Sequence, residues 1–119
     1  MVHKLYNLKK INEIAQDDQE FILDMLVTFV ENVTIEIDRI QSFRPLENWT
    51  AIAETAHKLS SNFAYLGATK LHALAADIEK SVLNDGNLTG IAEKAGQLCD
   101  DGIMLLSQLK NDFCITDKN

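Results

Sequence analysis

The sequence predicts an all-α protein, an antiparallel up-down-up-down four-helix bundle with a short extra helix at its N-terminal end. Three observations predict it. Four long stretches carry apolar residues at intervals of three and four, the period of a helix with one buried face. Short turn-forming clusters separate them, around Pro45, at Gly67 and over Asn84-Asp85-Gly86-Asn87, so consecutive helices run antiparallel. No run of alternating β-branched residues bounded by hairpin turns competes for a strand.

The short helix is expected over about residues 8–16, capped by Asn7, with Leu8, Ile11, Ile14 and Ala15 on one face and Leu5 as a staple just outside it. Helices of this length are marginal alone, so its face needs the bundle. Asp17 to Glu20 has the spacing of a capping box and opens a long helix over about residues 18–42. Its stripe is Ile22, Leu26, Phe29, Val33, Ile37 and Ile40, widened by Phe21, Met25 and Val30. Pro45 disfavours helical geometry in the residue before it and ends this helix. The next, over about 46–66, buries Trp49, Ile52, Ala56, Leu59, Phe63 and Leu66 and stops at Gly67, a residue able to take positive φ. Leu71, Leu74, Ala75, Ile78 and Val82 form the stripe of a helix over about 68–84, so close behind that the two make an antiparallel hairpin. Asn87 or Thr89 is the expected cap of the last helix, about 88–112, whose stripe is Leu88, Ile91, Ala95, Leu98, Gly102, Leu105 and Leu109. Small residues at Ala95, Gly96 and Gly102 admit a close neighbour, and Ile115 to Asn119 reads as a frayed tail.

Size and charge bound the function. The 119 residues, 46% of them apolar with one proline and five glycines, suit a single compact domain over 1–119 with no need of disulfides or metal. No stretch has the length of a membrane span or of a signal peptide's apolar core, so a cytoplasmic location is expected. Cys99 and Cys114 have no metal or redox spacing and are expected to be reduced. A net charge of −7, with no cluster of basic residues interleaved with aromatics, argues against nucleic-acid binding.

His57 is the candidate reactive group. It lies roughly 130° from the centre of its helix's apolar stripe. Its neighbours one turn away are Ala53, Glu54, Ser60, Ser61 and Ala64, all small but Glu54, so nothing long folds over the imidazole. Counting equal rise outward from Gly67 puts His57 level with Asp77, Ile78 and Glu79. A carboxylate there, from Asp77 or Glu79, could accept the Nδ1 hydrogen and leave Nε2 free as a nucleophile.

The run Ala56-His57-Lys58-Leu59-Ser60-Ser61-Asn62-Phe63-Ala64-Tyr65-Leu66-Gly67-Ala68 resembles the signature of histidine-containing phosphotransfer (HPt) domains. Tyr6-Asn7-Leu8 and the Asp17-to-Phe21 helix start extend the likeness over nearly the whole chain. The resemblance implies that His57 accepts a phosphoryl group from a receiver-domain aspartate or a kinase and passes it to a receiver-domain aspartate. The partners implied are the receiver domain of a response regulator and a hybrid histidine kinase. The chain would be a monomeric phosphocarrier, not an enzyme, holding no cofactor or metal of its own, with a divalent metal on the partner receiver. Lys58, Ser60, Ser61, Ala64, Gly67 and Glu79 are the supporting residues implied. Many family members carry lysine three residues after the histidine and glycine four after it; here these are Ser60 and Ser61. Clearance survives that exchange, but the nearest cation, Lys58, points roughly 100° away from His57.

Other chemistries fare worse. Glu54-x-x-His57 has the spacing used by di-iron bundles, but Thr69 stands three before His72, so no second copy exists. No serine or cysteine nucleophile is placed with a base and an oxyanion donor. The alternative is a helical-bundle interaction module without phosphotransfer, with His57 silent. His3 and His72 read as incidental.

Overall fold

A computed structural model describes residues 4–116, and among them every regular element is helical. These are α1 (Lys9–Ala15), α2 (Gln19–Phe43), α3 (Trp49–Tyr65), α4 (Thr69–Glu79), a π-helical turn (Lys80–Asn84) that continues α4, and α5 (Ile91–Phe113). Helices α2 to α5 form the antiparallel bundle: α3 packs against α2 and α4, and α5 closes the ring against the same two. At a rise of about 1.5 Å per residue α2 is about 37 Å long, close to the 43 Å long axis of the molecule. His3 and the final three residues lie outside the described segment.

The stripes meet in one core. Ile11, Leu26, Ile40, Ile52, Leu59, Phe63, Leu66, Ile78, Leu98, Leu105 and Leu109 are all fully buried. At Gly102 an added Cβ would stand 2.6 Å from Ile37 Cδ1, so its missing side chain admits α2. Some expected members of the stripes stay outside. Ile14, Phe21 and Leu88 are each about half exposed, because α1 rests on the bundle along Ile11 and Ala15 only, Phe21 sits in the overhanging first turn of α2, and Leu88 precedes α5.

The helix ends correct several expected caps. The cap of α2 is Asp18, whose side chain accepts from Phe21 N at 3.2 Å. Asp17 is already taken up in the end of α1, where Gln16 (φ 52°) and Asp17 (φ 60°) both turn left-handed and Asp17 N bonds to Asn12 O. α3 begins at Trp49 and not near Leu46, because Glu47 (φ 52°) breaks the chain and Asn48 then caps Ala51 N. Asn7 does not occupy the cap position of α1, which is Leu8, although its Oδ1 accepts from Lys9 N. α5 opens at Ile91 behind Gly90 (φ 71°), while Asn87 closes a local turn onto Thr89 N. In the expected tail, Ile115 is packed on the core.

The α3–α4 connection is the tightest in the fold. Gly67 has φ 63°, Gly67 N donates to Ala64 O, and Ala68 N donates to Phe63 O at 2.9 Å. This is the paired-bond ending that a left-handed glycine allows. Asn7 N donates to Leu66 O at 2.9 Å, so the N-terminal segment lies directly over the turn. That segment is itself anchored on α5. Lys4 pairs with Asp112 at 2.7 Å, Leu5 N donates to Gln108 Oε1, and the Tyr6 hydroxyl donates to Asp112. The bonds from Lys4 and Tyr6 hold the Asp112 carboxyl below the usual carboxylate range. Partial burial, with the Asp112 bond and charge, pushes the Tyr6 phenol up to about 12.

Two outcomes follow for stability and reactivity. A Cβ at Gly67 would stand 2.2 Å from Asn7 O. Gly67→Ala therefore adds a backbone collision to a left-handed penalty of about 1–2 kcal/mol, and urea denaturation should show a loss of at least about 2 kcal/mol. Cys99 is buried, and burial pushes its thiol up to about 11, the nearby Arg44 charge offsetting this only in part. Because the thiolate is the nucleophile, alkylation near pH 8 should modify exposed Cys114 and spare Cys99 until the chain unfolds, which peptide mass mapping reads directly.

Candidate functional site

His57 stands on α3 with 64% of its side chain exposed, and its Nδ1 lies 2.7 Å from Glu79 Oε2 on α4. The three residues level with it divide cleanly. Ile78 is fully buried, Asp77 pairs with Lys94 of α5 at 2.7 Å, and Glu79 meets the imidazole. A carboxylate only accepts, so Nδ1 carries the hydrogen and the lone pair of Nε2 is left for solvent or a visitor. Glu79 is the last α-helical residue of α4, and the widened π turn begins at Lys80.

The surroundings are small or turned away. Ala53 is buried beneath the ring, Ala64 is half-buried, and Ser61 is exposed. Lys58 is exposed one residue on. Ser60 is half-buried and leans on α4, where its hydroxyl and carbonyl both meet His72 Nδ1. Gly67 lies at the far end of α3 and acts on the site only through the hairpin register. Glu54 is exposed, the imidazole turns to Glu79 instead, and among the described residues no three of His, Cys, Asp and Glu are grouped to hold a metal. No helix among them is long and apolar enough to cross a membrane.

Beyond the imidazole the surface is aromatic. Tyr65 lies two turns along α3 from His57, stacks on Phe29 of α2 at 5.9 Å between ring centroids, and receives the Lys10 ammonium of α1 over its ring at 4.7 Å. Sequence reasoning took Phe29 for plain core and did not single out Tyr65. The eight-residue interval from His57 to Tyr65, which keeps both on one helical face, was the available signal. His72 was also missed, because a helix wheel of α4 alone does not reveal a contact on α3.

A family model described as "Hpt domain" matches residues 24–112. Among solved structures, the chain is similar to the HPT domain from the Hpt sensor hybrid histidine kinase from Shewanella. The two are 18% identical, the match covers 96% of this chain and 97% of that one, and the TM-score is 0.79. No curated protein matches in sequence. The structural likeness speaks for the fold.

The geometry predicts the tautomer. Long-range 1H–15N NMR should find His57 with its proton on Nδ1 in the neutral ring, and Glu79→Ala should shift it toward the Nε2–H form that free imidazole side chains prefer. An unchanged tautomer in that variant would show that the carboxylate does not set it.

Proposed function

Because the chain belongs to the Hpt domain family, we propose that it is a phosphorelay intermediate, taking a phosphoryl group onto His57 Nε2 and handing it to a receiver-domain aspartate. One observation carries this reading: an imidazole with 64% of its side chain exposed, whose Nδ1 is engaged by Glu79 so that Nε2 is the nitrogen left to react.

In the accepting step the Nε2 lone pair attacks phosphorus, the N–P bond forms, and the acyl P–O bond breaks to release the donor's carboxylate. A kinase phosphohistidine as donor would release imidazole instead. With Nδ1 still protonated the ring becomes cationic as the bond forms, and the Glu79 carboxylate beside Nδ1 offsets that charge. The delivering step reverses these roles, with the receiver carboxylate attacking and imidazole leaving. The chain supplies orientation and clearance. The receiver domain of a response regulator or of a hybrid histidine kinase supplies the acyl phosphate, the divalent metal and most of the charge stabilisation, as suits a reaction governed by positioning and electrostatics. The chain is in this reading a monomeric cytoplasmic phosphocarrier folded as a single domain. Lys58, Ser60, Ser61, Ala64 and Gly67 serve by charge, clearance or register.

Docking falls to the surface beside His57. Tyr65, two turns along α3 from His57, with Phe29 stacked on it and Lys10 over its ring, forms an aromatic patch shared by α1, α2 and α3. Such a patch suits a protein partner that must bring its own carboxylate to Nε2.

Incubation with phosphorylated receivers of the same cell tests the proposal. His57→Gln should abolish acid-labile phosphate uptake without changing helical content, and full uptake in that variant would end the assignment. Glu79→Ala should slow uptake about 10-fold, equivalent to about 1.4 kcal/mol of lost transition-state stabilisation.

A further inference from the structure

The hydroxyls in the interior of these helices mostly bond backward along their own helix. Thr28 donates to Asp24 O, Thr34 to Val30 O and Thr55 to Ala51 O. Ser60 departs from this habit: its Oγ lies 3.1 Å from His72 Nδ1 across the α3–α4 seam. The same Nδ1 lies 2.9 Å from the Ser60 carbonyl oxygen. A carbonyl has only lone pairs to offer, so Nδ1 must carry the proton that joins them. The alternative tautomer would set two lone pairs against each other at that distance. The Nδ1–H is then shared between the Ser60 carbonyl and Oγ, Oγ is an acceptor, and its own hydrogen remains to be donated elsewhere.

Ser60 stands one helical turn from His57. His57 and Ser60 are three residues apart on one helix, an interval that puts side chains about 5–6 Å apart at Cβ, and both lean toward α4. Their partners, Glu79 and His72, are seven residues apart and so share a face of α4. Ala76, between them on that face, is small and half-buried. The seam thus has two polar rungs with a small-residue gap, and the second rung ends in an oriented, uncommitted O–H.

We propose that Ser60 and His72 form a phosphoryl-orienting pair: His72 holds the Ser60 hydroxyl through Nδ1–H, and Ser60 Oγ–H donates to an oxygen of the phosphoryl group on His57 Nε2. This rests on the phosphotransfer reading above and adds to it a neutral donor and its keeper. Ser60 contacts the transferred group, and His72 is a positioning residue that acts through it. No bond to phosphorus is made or broken by either. A hydrogen bond to the phosphoryl oxygens stabilises the charged ground state and restrains the group against attack by water.

The test uses the full chain, phosphorylated by phosphoramidate, with the half-life of the phosphohistidine followed by 31P NMR. Ser60→Ala and His72→Leu should each shorten the half-life about 5-fold, the size of one hydrogen bond to a charged group in partial solvent. Ser60→Thr keeps the hydroxyl, and His72→Asn keeps a donor near the Nδ1 position, so both should retain most of it. In the Ser60→Ala background, His72→Leu should add nothing, because the two act as one unit. A parental half-life in Ser60→Ala, or an undiminished effect of His72→Leu in that background, overturns the pair. Failure of the parent to take phosphate on His57 overturns the phosphotransfer reading itself, and the pair with it.

Discussion

The register of the α3–α4 hairpin is the constraint on which the site depends. Gly67 reverses the chain in a single left-handed residue, with two backbone bonds closing the end of α3. From that fixed point helical rise brings His57, ten residues back, level with the stretch Asp77 to Glu79, of which Glu79 meets the imidazole. One residue more in the turn would rotate α4 by about 100° and put Ile78 in the place of Glu79 at the imidazole. The N-terminal segment enforces the choice: Asn7 sits where any Cβ on residue 67 would go, and Lys4, Leu5 and Tyr6 fasten that segment to α5. A contact far from the reactive ring therefore governs which atoms face it.

Energetically the site contributes little to the fold. An ion pair as exposed as His57 and Glu79 is worth about 0–1 kcal/mol, whereas each fully buried Leu, Ile or Phe of the core contributes about 1.5–3 kcal/mol. The bond to Glu79 is better understood as a device of orientation, fixing the tautomer and the ring plane on a scaffold already held by apolar packing. The same logic explains the small residues nearby. Exposed Ser61 adds little to stability, so a larger side chain there would cost access to the ring before it cost folding, whereas Ala53 is fully buried and a larger side chain there would strain the packing as well.

Periodicity made the helices legible, because one buried face per helix leaves a pattern that survives without tertiary information. The neighbourhood of Glu79 was legible for a related reason: a short turn followed by regular rise narrows the choice to Asp77, Ile78 and Glu79, and the family resemblance then singles out Glu79. Caps were harder, since adjacent candidates compete. Asp17 and Asp18 both have the chemistry of a cap, and only the left-handed end of α1 consumes the first. Leu88 fits the stripe of α5 yet stays outside, because Gly90 starts that helix later than the pattern does. His72 was illegible for a deeper reason. Its partner is on another helix, and the bond depends on both faces of the hairpin at once.

The exchange of a basic residue for Ser60 beside His57 changes what the carrier itself can offer. A lysine there would present a mobile charge on a long stem, strongly attractive to phosphate but costly in side-chain entropy to localise. A serine braced across the seam offers a weaker interaction that is already in place, since His72 has fixed the oxygen before any phosphoryl group arrives. With Lys58 pointing away, the charge needed to neutralise a phosphoryl group falls more heavily on the partner. In the proposed transfer, a carrier built this way would exchange part of the ground-state attraction a lysine offers for a donor already in place. Such a balance would suit the proposed passage of a phosphoryl group from one carboxylate to another.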